Sequence, residues 1–106
     1  MALLFALSWM GGRELFAKEK STTHVIVMEN MKFSPSALQV RIGDRIEFKN
    51  SDLVPHTATA KPAGAFDSGL VKSGASWVFA PKKAGTFEYI CTFHPMMEGS
   101  FTVVGM

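Results

Sequence analysis

The residues of this chain best suited to chemistry stand together in Cys91-Thr92-Phe93-His94-Pro95-Met96-Met97. Cys91 is the single cysteine of 106 residues, so no disulfide within the chain can occupy it. A thiolate, an imidazole and a thioether at spacings of three residues are soft donors that one metal ion could share. A fourth donor has to come from elsewhere, and His24 and His56 are the remaining histidines. His24 follows a polar, Lys-rich stretch and reads as a solvated surface residue. His56 follows Asn50-Ser51-Asp52-Leu53-Val54-Pro55, and Pro55 fixes the backbone just before it. The set His56, Cys91, His94 and Met97 offers two imidazoles, a thiolate and a weak axial thioether, which is the donor arrangement of a type 1 copper site. Zinc competes for Cys and His, but a thioether suits copper better.

Each of these residues has a plainer reading when taken alone. A lone cysteine is usually a small buried hydrophobe, and a methionine usually fills a gap in packing. A single histidine is usually satisfied by hydrogen bonds. The conjunction favours ligation, and an unpaired thiol in an oxidising compartment is protected when it holds a metal. Extended, the segment from Cys91 to His94 would reach about 10 Å, so donors at about 2.0–2.3 Å from one ion require the loop to fold back. Pro95 restricts His94 and stiffens that fold, and Gly99 lets the chain leave it.

The elements that must position these donors read as strands. Short apolar alternations broken by turn residues predict strands near 24–28, 37–42, 45–50, 56–60, 77–80, 86–91 and 100–104, with a further one near 67–71. Leu38, Val40 and Ile42, then Ile46 and Phe48, alternate with polar residues on either side of Gly43-Asp44. That pattern predicts a hairpin with one buried face. Trp77 and Phe79, Phe87 and Tyr89, and Phe101 and Val103 repeat the period of two and supply large side chains to a core between two sheets. The fold class expected is all-β, a small Greek-key β-sandwich of seven to eight strands. The prolines fall at strand edges or in turns.

The length allows one small domain. Eleven Lys and Arg are scattered among nine Asp and Glu, so the clustered basic face of a nucleic-acid binder is missing from the pattern and no nucleic-acid partner is expected. Residues 1–20 read separately from 21–106. Their apolar run Ala2 to Met10 is too short to cross a bilayer but matches the core of an export signal, although no Lys or Arg precedes it and Leu15-Phe16-Ala17 is the nearest cleavage-like site. A short amphipathic helix packed on the domain is the alternative. A periplasmic or otherwise exported location is expected, without a transmembrane span.

From about His24 onward the chain resembles the cupredoxins, the type 1 blue copper family. The resemblance rests on "NSDLVPH", "AGTFEYICTFHPMMEG" and the closing strand "SFTVV". The short Cys-x-x-His-x-x-Met loop is its specific part, because other branches of the family insert more residues between these ligands. It implies one type 1 copper ion on His56, Cys91, His94 and Met97, with Met96 an apolar neighbour at the rim. It also implies that Asn50 ties the His56 loop to Thr92 through its side chain. Phe93 is a departure, since short-loop members often carry Pro there. Phe93 keeps an N–H that could reach the Cys91 sulfur and raise the reduction potential above that of a Phe93→Pro variant.

The function this resemblance implies is the transfer of single electrons between redox partners, with no catalytic residue. The partners expected are a c-type cytochrome and a dehydrogenase or oxidase, docking transiently near His94 on an apolar surface of Leu53, Val54, Pro55, Pro95 and Met96. A monomer is expected. A periplasmic copper chaperone or storage protein is the alternative, and it would need a more exposed, exchangeable site. A copper enzyme would need an open coordination position or further histidines.

Overall fold

A computed structural model describes residues 21–105, and the expectations for residues 1–20 lie outside the described part. Eight strands form two four-stranded sheets, with no helix among the described residues. In chain order they are β1 Thr23–Glu29, β2 Lys32–Ser34, β3 Ala37–Arg41, β4 Arg45–Asn50, β5 Thr59–Lys61, β6 Ser76–Phe79, β7 Gly85–Ile90 and β8 Glu98–Val104. One sheet has the order β2-β1-β4-β6 and the other β3-β8-β7-β5. This is the expected all-β sandwich.

The alternation explains the burial. In β4, Ile46, Phe48 and Asn50 point inward while Arg45 and Lys49 are exposed, and in β8 Phe101 and Val103 are buried. The two inner faces meet in an aromatic core. Tyr89 meets Phe33 edge-on with centroids 4.7 Å apart and Phe48 edge-on at 5.3 Å, the arrangement aromatic quadrupoles prefer. Phe66, from the loop after β5, lies 4.8 Å from Phe79 and 5.5 Å from Phe101. It closes the gap between β6 of one sheet and the face of the other.

The expected hairpin across Gly43-Asp44 does not form. The turn is there, with Gly43 at φ 102° and the Asp44 N–H bonded to the Arg41 carbonyl at 2.9 Å. The strands it joins enter different sheets, β3 running parallel to β8 and β4 parallel to β1. Alternation specifies which face of a strand is buried, and two strands facing each other across a core alternate just as two hydrogen-bonded neighbours do.

Three other strand readings shift. β2 is only three residues long and carries no alternation to read, yet its Phe33 is buried in the core. The segment read as a strand from His56 is joined by an isolated bridge to Val71, and the ladder begins at Thr59. The segment 67–71 contributes isolated bridges at Asp67 and Val71 and no ladder. His24 is not a solvated surface residue: its Nε2 lies 2.9 Å from Asp44 Oδ2, and both side chains are largely covered.

Candidate metal centre

The Cys91-to-Met97 segment folds back as its chemistry requires. The His94 N–H bonds the Cys91 carbonyl at 3.2 Å, and the Met97 N–H bonds the His94 carbonyl at 2.8 Å. Two successive four-residue turns therefore run from Cys91 to His94 and from His94 to Met97, sharing His94. The Cys91 N–H then reaches the Met97 carbonyl at 3.2 Å and closes the loop into a ring. β7 and β8 hold its two ends through six residue pairs.

His56 comes from the loop after β4. Its backbone exchanges two hydrogen bonds with Val71, at 3.1 and 2.8 Å, which fix the segment before its ring is placed. Its Nδ1 lies 3.6 Å from Cys91 Sγ, and His94 Nδ1 lies 3.8 Å from the same sulfur. The donor atoms of His56, Cys91 and His94 all fall within 4.8 Å of one another. Cys91, His56 and Met97 are buried and His94 is partly exposed, so one imidazole edge of the cluster meets solvent. Two nitrogens and one sulfur converging on a single point, at the separations expected of atoms sharing one ion, fit a soft, low-coordinate metal such as copper.

Thr92 is tied to the His56 loop as expected, but the tie does not come from Asn50. The Asn50 side-chain amide donates to the carbonyls of Val54 at 2.9 Å and Val71 at 3.0 Å, and its Oδ1 accepts the Asp52 N–H at 2.9 Å. It organises the His56 loop from within and does not reach Thr92. That bridge is made by Thr57, whose Oγ1 accepts the Thr92 N–H at 2.9 Å and lies 3.2 Å from Thr92 Oγ1. Thr57 also supplies the backbone donor to the thiol, its N–H lying 3.4 Å from Cys91 Sγ. Among the described residues the Phe93 N–H makes no such bond, and its ring is half exposed.

Asp52 was not foreseen either. Its Oδ2 lies 2.7 Å from His56 Nε2, and its two oxygens accept the N–H groups of Asn30 at 2.7 Å and Met31 at 3.1 Å. Burial alone would raise its pKa. The bond from His56, helped by those from Asn30 and Met31, outweighs burial and holds the carboxyl below its ordinary range.

Around the rim the surface is apolar. Leu53 is 94% exposed and Met96 80%, with Val54 and Phe93 less so. Single exposed apolar residues are common, but these lie in the two loops that carry His56 and His94.

A two-sheet sandwich with a His, Cys and His cluster where two loops leave one end defines a cupredoxin. The family model for the cupredoxin-like domain matches residues 1–103, and the chain belongs to that family. Within it, the chain is similar to amicyanin of Paracoccus denitrificans, 29% identical over 83 residues that cover 74% of this chain and 63% of the relative. It thus spans a little under two thirds of that relative's length. A solved amicyanin structure in the Cu(I) form superposes with a TM-score of 0.73 at 26% identity, over 77% of this chain and 82% of that one. A copper-containing nitrite reductase from Thermus scotoductus shares the fold, with a TM-score of 0.72 at 24% identity over 77% of this chain and 22% of that one.

Proposed function

We propose that this protein is an exported type 1 copper protein that carries single electrons, with His56, Cys91, His94 and Met97 as the ligands of one copper ion. The observation that carries the reading is the convergence of His56 Nδ1, Cys91 Sγ and His94 Nδ1 within 4.8 Å, with Met97 buried at the other end of the same closed loop. Copper in such a set alternates between Cu(II) and Cu(I), and a rigid intermediate geometry serves both states. The chain supplies the rigidity. Turns, the ring closure and the bridge from Thr57 to Thr92 hold the two ligand loops against each other, while burial of Cys91 and His56 keeps water from the thiol side.

The exposed edge of His94 and the apolar rim of Leu53, Val54, Phe93 and Met96 form the surface for electron exchange. An apolar patch without a charged lock suits weak, short-lived encounters. The partners proposed are a c-type cytochrome and a dehydrogenase or oxidase, meeting the protein in the periplasm or another exported location. Residues 21–106 form the copper domain in this reading and residues 1–20 the export segment. No helix among the described residues is long and apolar enough to cross a membrane.

A copper chaperone fits less well, since handing over an ion calls for reachable donors and three of these four side chains are buried. A copper enzyme calls for an open position, and the four donors leave none for a substrate. The shared fold of a nitrite reductase shows that the sandwich itself does not decide this. Adding Cu(II) to the purified protein is expected to give an intense blue thiolate-to-copper band that ascorbate bleaches and Cys91→Ser abolishes. A colourless protein, or one that takes zinc and rejects copper, would overturn the proposal.

A further inference from the structure

The carboxylate of Asp52 has three nitrogens within hydrogen-bond distance at once. Asn30 N–H reaches Oδ1 at 2.7 Å, Met31 N–H reaches Oδ2 at 3.1 Å, and His56 Nε2 lies 2.7 Å from Oδ2. A carboxylate has acceptor capacity for all three, and as a pure acceptor it requires the proton of the His56 ring to sit on Nε2. The other ring nitrogen, Nδ1, then presents its lone pair toward Cys91 Sγ. Imidazole tautomers are set in this way by what the far nitrogen bonds.

We propose that Asp52 is a positioning residue: it fixes Nδ1 as the metal-facing nitrogen of His56, and its negative charge biases the site toward the oxidised metal. This rests on the copper reading above for its second half, while the first half concerns the protein alone. The carboxylate is itself held from several sides. The Asp52 N–H bonds Asn50 Oδ1 at 2.9 Å and the Asp52 carbonyl accepts the Ser73 hydroxyl at 2.6 Å. Asn30 and Met31 sit at φ 58° and 59°, a left-handed pair that is disfavoured for residues other than glycine. That turn aims both of its N–H groups at one carboxylate. A residue wanted only as a surface charge needs none of this, and at 0% exposure the His56 side chain cannot obtain the same bond from water.

Asparagine cannot replace Asp52 in this role. It has one acceptor oxygen, and its amide donates. If the oxygen serves the turn, the amide faces His56 Nε2, and the ring proton moves to Nδ1, where it blocks the donor atom. The neutral side chain also removes the charge that favours Cu(II) over Cu(I).

The test uses the whole chain. ¹⁵N NMR of the metal-free wild type should show His56 as the Nε2–H tautomer, and Asp52→Asn should move it toward Nδ1–H. In the copper-loaded protein, Asp52→Asn should weaken Cu(II) binding by about 10–100-fold, the range for lost partners of ligating histidines. Cu(I) binding should weaken less, so the reduction potential rises. Asp67→Asn removes the same charge away from His56 and should leave both readouts in place. A metal-free wild type carrying the proton on Nδ1, or an Asp52→Asn protein with unchanged tautomer and potential, would overturn the proposal. If Asp52→Asn does not fold, the wild-type spectrum decides alone. Absence of a blue band in the wild type would sink the copper reading and leave the tautomer result standing.

Discussion

The molecule contains the same small device twice. His24 Nε2 meets Asp44 Oδ2 at 2.9 Å, and Asp44 also accepts the N–H groups of Thr22 at 3.0 Å and Arg41 at 2.9 Å. His56 Nε2 meets Asp52 Oδ2 at 2.7 Å, and Asp52 accepts two backbone N–H groups in turn. The first pair locks the start of β1 to the β3–β4 turn, and the second lies beneath the loop that faces Cys91. What separates them is the far nitrogen of the ring. Beside His56 Nδ1 there is a thiol and a second imidazole; among the described residues His24 takes part in no such cluster. A carboxylate and a histidine make a clamp in either place, and only the third group turns the clamp into a candidate ligand.

The comparison breaks most sharply if the two histidines are removed in turn. His56→Ala should abolish the blue band formed with Cu(II), while His24→Ala should leave its position and intensity unchanged; equal loss in both would dissolve the distinction. Asp44→Ala carries the next largest effect. It leaves three donors without their acceptor and should cost at least about 2 kcal/mol in chemical denaturation, with the copper spectrum unmoved in the protein that remains folded.

Acid sharpens the contrast further. Burial works to raise the Asp44 pKa, but the Arg41 N–H, His24 and the Thr22 N–H together bring it from an ordinary 3.8 down to about 2. A carboxyl lowered on folding contributes stability that is full above its unfolded value and is lost as pH falls through its folded value. Wild type should therefore lose an increment of stability between about pH 4 and pH 2 that Asp44→Asn lacks, read as the difference between their denaturant midpoints. Parallel curves for the two proteins would remove the assignment. The smallest effect falls in the aromatic core, at Tyr89. Its hydroxyl is buried with no hydrogen-bond partner among the described residues, and burial pushes its pKa up. Unlike the two histidines it has no carboxylate to lose, so Tyr89→Phe should leave stability unchanged or raise it by up to about 1 kcal/mol. A clear loss in thermal unfolding would mean that the hydroxyl has a partner in solution.

Much of this architecture was legible because it depends on local pattern. The inward alternation of Ile46 and Phe48, and of Phe101 and Val103, marks strands wherever they pair. The nearness of Cys91, His94 and His56 could be read from donor spacing and from the proline beside each histidine. Pairing was not legible, because β1 with β4 and β3 with β8 are parallel contacts between distant segments, and no turn residue announces them. β2 was missed because three residues cannot show a period. The roles of Asp52 and Thr57 were missed for a different reason. Serving a ligand from its far side depends on where a loop passes, and Asn50, the more conspicuous residue, proved to be occupied with Val54 and Val71.

The ring closed between Cys91 and Met97 also bears on when the centre can exist during folding. Three of the four proposed donors lie within that one short segment, whereas His56 stands 35 residues from Cys91. Closing the longer separation carries the larger entropy and must await the pairing of distant strands. The short segment therefore brings a thiol, an imidazole and a thioether together at a lower entropic cost than the second imidazole. The blue colour would then report the one 35-residue closure that brings His56 to Cys91, and stay silent until that closure is made.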